Sequence, residues 1–193
     1  VFDPGPSAFG ALLDRWNGLA AAGFLAWDFL PGMRFRERAA WWRDGADRET
    51  LHEGLDLCWY RTRAGGRASL GPGARVPVLW PGTVVAVVPD FLGASVFVAH
   101  ERLDERGRRL HSVYGHVAPT GGGSPGCLLR EGDAVGTIAQ PPPQRAKIPA
   151  HLHLSVALID REGGPARLDW TALQDGARVS LLDPLPIVKS FGH

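Results

Sequence analysis

A chain of 193 residues is long enough to bury one sizeable core without cross-links, and 45% hydrophobic with 21% charged residues is ordinary globular composition. A formal net charge of +1 with scattered arginines gives no basic stripe, so nucleic acid is not expected as a partner. No stretch approaches the roughly 20 uninterrupted apolar residues of a membrane helix, so no transmembrane segment is expected. The chain begins at Val1, and a signal peptide is expected to be absent from this sequence. Apolar residues at Phe9, Leu12, Leu13, Trp16, Leu19 and Ala20 follow a helical period. One amphipathic helix is therefore expected from Ser7, as N-cap, to near Gly23, packing on the main body. From about Phe35 the pattern changes to short β-branched and aromatic runs: Leu55–Tyr60, Val76–Leu79, Thr83–Val88, Ser95–His100, Leu110–Val117, His151–Ile159 and Val179–Leu182. Asp104-Glu105-Arg106-Gly107 predicts a hairpin tip, residues 120–126 a flexible glycine loop, and residues 140–149 a proline-rich one. The division that follows is an N-terminal helical segment, 1–33, and a β-rich domain, 34–193. With 25 Gly and 16 Pro punctuating short strands, the fold class is mainly β, with an N-terminal helix. Cys58 and Cys127 can form at most one bridge, and a bridge and two small buried apolar residues are equally open readings.

Four of the seven histidines stand in three informative places. In His151-Leu152-His153, residues two apart on a strand share a face, so both imidazoles project together, either as two ligands or as one ligand beside a metal. His52 and Asp56 would be about 13 Å apart on an extended strand, too far for one ion, so the chain must shorten between them, and Gly54 permits the bend. Reading His52-Glu53-x-x-Asp56 as a helical zinc motif with Glu53 as base is disfavoured. Position 56 is Asp, and Leu55-x-Leu57-x-Trp59 alternates with a β period. His116 closes the strand Leu110-x-Ser112-x-Tyr114-x-His116. His111 has the opposite parity and is expected to face away from it.

His52-x-Gly54-x-Asp56, then Tyr114-x-His116, then His151-Leu152-His153 resembles the ordered motif of the lysostaphin/LytM-type peptidases, which cut peptide cross-links of bacterial peptidoglycan. Pro77-Val78 leading to Gly82-Thr83-Val84-Val85, a strand ending at His100, Arg130-Glu131-Gly132-Asp133-Ala134-Val135-Gly136 and the closing Asp183-Pro184-Leu185-Pro186 are similar to that family's landmarks, over residues 35–188. The resemblance implies a central antiparallel sheet forming a groove. It implies Zn2+ held by His52, Asp56 and His153, with His116 and His151 as catalytic histidines. It implies hydrolysis of peptidoglycan peptides through a metal-activated water, in an extracytoplasmic location. Two neutral imidazoles and a carboxylate suit zinc and leave a fourth position for water. His100 is read as structural, and His193 as terminal and without a role.

The sequence departs from the family at Pro141–Ala150, where prolines replace a Gly/Ser-rich loop, and at Leu154-Ser155-Val156 after the motif. Met33–Asp47, with Trp41 and Trp42, has no counterpart in it; packing is the reading adopted for the two tryptophans, with stacking on sugars the other. A non-catalytic cell-wall-binding or amidase-activating module on the same fold is the alternative function. It is disfavoured because all five site residues are present. A biotinyl- or lipoyl-type carrier would need a lysine at a hairpin tip, which neither Lys147 nor Lys189 supplies.

Overall fold

The computed structural model describes residues 2–161 and 168–188. In chain order it contains α1 (Phe9–Asn17), β1 (Phe24–Trp27), β2 (Leu55–Leu57), β3 (Trp59–Thr62), β4 (Arg67–Ser69), β5 (Arg75–Pro77) and β6 (Gly82–Pro89). There follow β7 (Ala94–Leu103), β8 (Arg109–Pro119), β9 (Leu128–Leu129), β10 (Ala134–Ile138), β11 (Leu152–Ile159), α2 (Trp170–Leu173), β12 (Val179–Leu182) and α3 (Leu185–Val188). The fold is mainly β. A nine-stranded sheet runs β12-β11-β8-β7-β6-β9, with β10 on β8 and β5, and β2 on β11, while β1-β3-β4 form a small second sheet. The pairings are antiparallel. No helix among the described residues is long and apolar enough to cross a membrane.

Alternation along the strands divides the core in two. Leu110, Tyr114, Leu154, Val156 and Leu158 face the larger cluster, which also takes in Phe9 and Leu13 of α1. Those two residues lie one helical turn apart and are fully buried, worth roughly 1.5–3 kcal/mol each. Phe97, Val113, Ala157 and Ile159 face the opposite way, beneath Leu173 and Val179.

The first helix is shorter than its apolar spacing suggests. It stops at Gly18, which takes a left-handed φ of 64°, the conformation that ends helices at glycine. Asn17 then fastens the end to β5, with Nδ2 donating to Arg75 O at 3.0 Å and Oδ1 accepting from Arg75 N at 2.8 Å. At the other end Ala8, not Ser7, is the N-cap residue. Ser7 Oγ instead accepts from Phe9 N at 3.1 Å and donates to Leu79 O at 2.6 Å. Apolar residues beyond Gly18 continue into a turn and then β1, which pairs with β3. The glycine loop is also more ordered than its composition implies: Gly121–Gly123 form a turn of 3-10 helix, and Gly123 is buried against the Val135 carbonyl. Both cysteines are free thiols.

The strand edges change partners at one place. On one edge, β8 pairs with β11 up to Gly115 and with β10 from Val117. On the outer edge of β11, β2 covers residues 152–154 and β12 covers 156–159. His153 lies between, with Gly115 opposite on one side and Asp56 on the other.

Candidate metal centre

His52, Asp56 and His153 bring three donor atoms together. Asp56 Oδ1 is 2.9 Å from His153 Nδ1 and 3.1 Å from His52 Nε2, and the two ring nitrogens are 3.1 Å apart. All three residues are buried. A tetrahedral ion with bonds of about 2.0–2.1 Å spaces its ligands about 3.3 Å apart, so an outward shift of a few tenths of an ångström accommodates zinc. The hydrogen-bond inventory points the same way. His52 Nδ1 lies 2.9 Å from the Arg34 carbonyl, which can only accept, so Nδ1 donates there and Nε2 is the nitrogen left to offer a lone pair to a cation beside the Asp56 carboxylate. His153 Nε2 reaches Ser155 Oγ at 2.9 Å, a partner that lets Nδ1 present a lone pair as well. Three lone pairs then converge on one buried point, which is costly unless a cation stands there. Burial works to raise the pKa of Asp56, but His52, His151 and His153 around it hold the carboxyl well below its usual range. Burial pushes His153 down despite Asp56.

The backbone between His52 and Asp56 is irregular up to a bend at Gly54, with no helix, so Glu53 occupies no helical zinc motif. It lies on the cleft, its Oε1 bonded to Thr50 and Gln174. Gly54 has no positive φ. A Cβ there would run into Leu154 O, Ser155 Oγ and His153 Nε2. The position requires space rather than conformational freedom, because β2 lies against the His153 ring.

His116 and His151 lie beside the three donors. Their ring centroids are 4.7 Å apart, and that of His116 is 6.0 Å from His153. His151 Nε2 is 3.8 Å from Asp56 Oδ1, and its Nδ1 donates to Pro149 O at 2.8 Å. Burial pushes the His151 pKa down to about 3, so the ring is neutral at physiological pH. His116 gets there by a route that alternation does not foresee. Four residues of β8 (Tyr114 to Val117) span the same stretch as three of β7 (Val96 to Ala94), a β-bulge, and His116 takes φ 64°. The bulge reverses the side-chain parity. Ser112 and Tyr114 belong to the opposite face, where Ser112 Oγ bonds His100 Nε2 at 2.8 Å and the Tyr114 hydroxyl at 2.9 Å. His111, expected to point away, pairs with Ala157 on the same side of the sheet as His153, with Nδ1 3.0 Å from Arg109 O. His193 lies outside the described residues.

Asp90 is a site residue that motif reading missed. Oδ1 accepts from Leu92 N and Gly93 N at 2.9 and 2.8 Å, and Oδ2 from Ser95 Oγ and the backbone N of His116 at 2.7 and 2.9 Å. Its Oδ1 is also 3.1 Å from His116 Nδ1, short but out of line for a formed hydrogen bond. Although burial works against ionisation, His116 and Ser95 hold the Asp90 pKa well below the usual carboxylate range. Nothing local in the sequence around Asp90 links it to His116. Asp56, His116, His151 and His153 open onto a cleft of ≈ 470 Å³, walled by Trp42, Phe91 and Trp170. Phe91 and Trp170 lie edge-on to His116 and His153 at 4.7 and 4.8 Å.

No protein-family model matches the sequence, and no curated protein matches it. Among solved structures, the chain is similar to lysostaphin at 15% identity and a TM-score of 0.44, over 73% of this chain and 44% of that one. Another is CbpA from L. salivarius REN, at 20% identity and a TM-score of 0.49, over 84% and 88% of the two chains. A third is the catalytic domain of the prophage-encoded M23 protein EnpA from Enterococcus faecalis, at 20% and 0.40, over 73% and 89%. The chain spans less than half of the lysostaphin chain.

Proposed function

We propose that the chain is a zinc-dependent endopeptidase that hydrolyses peptide cross-links of bacterial peptidoglycan, acting outside the cytoplasm. The observation that carries this reading is the meeting of His52 Nε2, Asp56 Oδ1 and His153 Nδ1 within 2.9–3.1 Å of one another, beside a cleft shared with two further histidines. Three protein donors with an open side are the arrangement of a catalytic rather than a structural zinc site. A zinc ion held there would supply Lewis acidity, polarising a water and the scissile carbonyl. The substrate class rests on the motif resemblance.

The remaining groups divide the proton handling. His116 has the Asp90 carboxylate 3.1 Å from Nδ1, which leaves Nε2 as the ring atom placed to accept a proton and later return it to the leaving amine. His151 keeps its Nδ1 proton on Pro149 O. A neutral His151 therefore offers an Nε2 lone pair, which orients a water or a substrate N–H. Trp42, Phe91 and Trp170 form the cleft walls, giving apolar contact to a peptide chain and displacing bulk water from it.

Metal analysis of the purified protein and digestion of isolated cell walls test the reading. Stoichiometric zinc and released peptides are expected, and both should be lost in His153→Ala. A His153→Ala protein that keeps its metal and its activity would overturn the assignment. A wild-type protein that holds no zinc yet binds cell walls would favour the non-catalytic module.

A further inference from the structure

Residues 32–48 form an excursion that closes on itself. Ala39 bridges Asp47, Ala40 N donates to Ala46 O at 2.8 Å, and Arg48 N donates to Arg38 O at 2.7 Å. Glu37 Oε2 ties down its start by accepting from Gly32 N and Arg34 N at 2.7 and 3.1 Å. This excursion supplies three of the outer hydrogen bonds of the metal centre. One is the Arg34 carbonyl on His52. The other two fall on a single atom: Asp56 Oδ2 accepts from Trp41 Nε1 at 2.7 Å and from Arg48 Nη2 at 3.1 Å.

We infer that Trp41 and Arg48 are positioning residues whose two N–H groups hold Asp56 Oδ2, so that the carboxylate meets a metal through Oδ1 alone. A carboxylate oxygen has two in-plane lone pairs. On Oδ2 both are engaged by donors, while Oδ1 is the oxygen turned to His52 and His153. A carboxylate free to turn could place both oxygens on the ion and fill the coordination position that a substrate or water requires.

Both donors are themselves held. The Trp41 ring packs edge-on against Trp59 at 5.2 Å and His151 at 4.9 Å. Arg48 also donates to Gly32 O at 2.9 Å, lies over the Trp42 ring at 4.4 Å, and has a side chain only 13% exposed. Arg48 adds a permanent charge beside the carboxylate, drawing electron density toward Oδ2.

The inference rests on the metal reading above, and the experiment separates the two. Metal-free wild type, Trp41→Phe and Arg48→Met are titrated with cobalt(II), zinc affinity is measured against a chelator, and the metal-free proteins are melted. Trp41→Phe keeps an aromatic ring against His151 and removes only the donor. Zinc affinity is expected to fall roughly 10-fold or more in each variant. The visible cobalt bands, intense for four-coordinate ions, should weaken as Asp56 becomes bidentate, with melting of the metal-free protein unchanged. Arg48→Lys, which retains a charged donor, should recover most of the affinity. If Trp41→Phe melts early, Arg48→Met is judged by the same criteria. Wild-type affinity and an unaltered cobalt spectrum in the variants would overturn the positioning role and leave the metal centre standing, as would an affinity loss that merely tracks lower melting. A wild-type protein that takes up neither ion would remove the metal reading itself.

Discussion

Gly54→Ala is the substitution in which packing, metal binding and catalysis are most tightly linked. The added Cβ would lie 2.6 Å from Ser155 Oγ and 2.8 Å from His153 Nε2, and closer still to the Leu154 carbonyl. Ordinary carbon–oxygen contact needs the strands to part by about 1 Å there. Neither neighbour can yield cheaply, since Leu154 is fixed by strand pairing to β2 and β8, and the His153 ring is held by Asp56 at one nitrogen and Ser155 at the other. Overpacking of this kind costs about 1–3 kcal/mol, a fall in melting temperature of about 2–4 °C per kcal/mol for a domain of this size. The loss of function should be larger than the loss of stability, because a shift of about 1 Å at a reacting centre costs roughly 100-fold in rate. Gly121→Ala, whose Cβ would meet nothing within 4 Å, serves as the control. The assay compares metal-free melting, zinc affinity by chelator competition, and cell-wall hydrolysis well below the melting transition. A Gly54→Ala protein with wild-type affinity and rate would show that β2 does not set the donor geometry, and the reasoning would fail.

Two further outcomes follow from the buried histidines. Asp90→Asn removes the charge facing His116 Nδ1 and presents an amide where two donors now point at each oxygen. A loss of about 10²–10⁴-fold in kcat/KM with unchanged zinc content is expected, and an unaffected rate would exclude His116 as the proton acceptor. His100 is buried between Pro81 O and Ser112 Oγ, and burial holds its pKa at about 4 against an ordinary 6.5. Below pH 6.5 the unfolded chain binds the proton first, so the stability is complete above pH 6.5 and is lost as pH falls toward 4, reaching about 2 kcal/mol at pH 5. Urea midpoints of the metal-free protein should therefore fall between pH 7.5 and pH 5, and fall less in His100→Gln. Equal slopes would refute that assignment.

Much of the sheet was legible because its strands alternate or run apolar between Gly and Pro breaks, and Val179–Leu182 is the span given by both sequence and structure. The hairpin tip at residues 104–107 likewise turns where its Asp and Gly indicate, with Gly107 at φ 76°. Of the candidate site, the shortening between positions 52 and 56 and the shared face of residues 151 and 153 are local inferences, while the grouping of His52, Asp56 and His153 as metal ligands came from the motif resemblance. What escaped was non-local or broke periodicity. A bulge at His116 cannot be seen in a strand whose residues alternate cleanly, so parity misplaced His111. Asp90 reaches His116 across 26 positions, and Trp41 and Arg48 reach Asp56 from a loop that carries no period. Helix length was misjudged because apolar spacing continued past Gly18 into a turn, where the backbone angle of one glycine decides the matter.

The extra residue in β8 also limits how such a chain can change length. Deleting Gly115 would remove the bulge and move His116 into the regular strand position beside His153 and Trp170, away from the Asp90 carboxylate that now faces it. Inserting one between the irregularity and Arg109 would exchange the two sides of that stretch against its neighbours β7 and β11. The hairpin around residue 107 lies beyond the paired stretch and can grow or shrink freely. Insertions and deletions should therefore concentrate at that tip, while the interval from Arg109 to His116 keeps a fixed count.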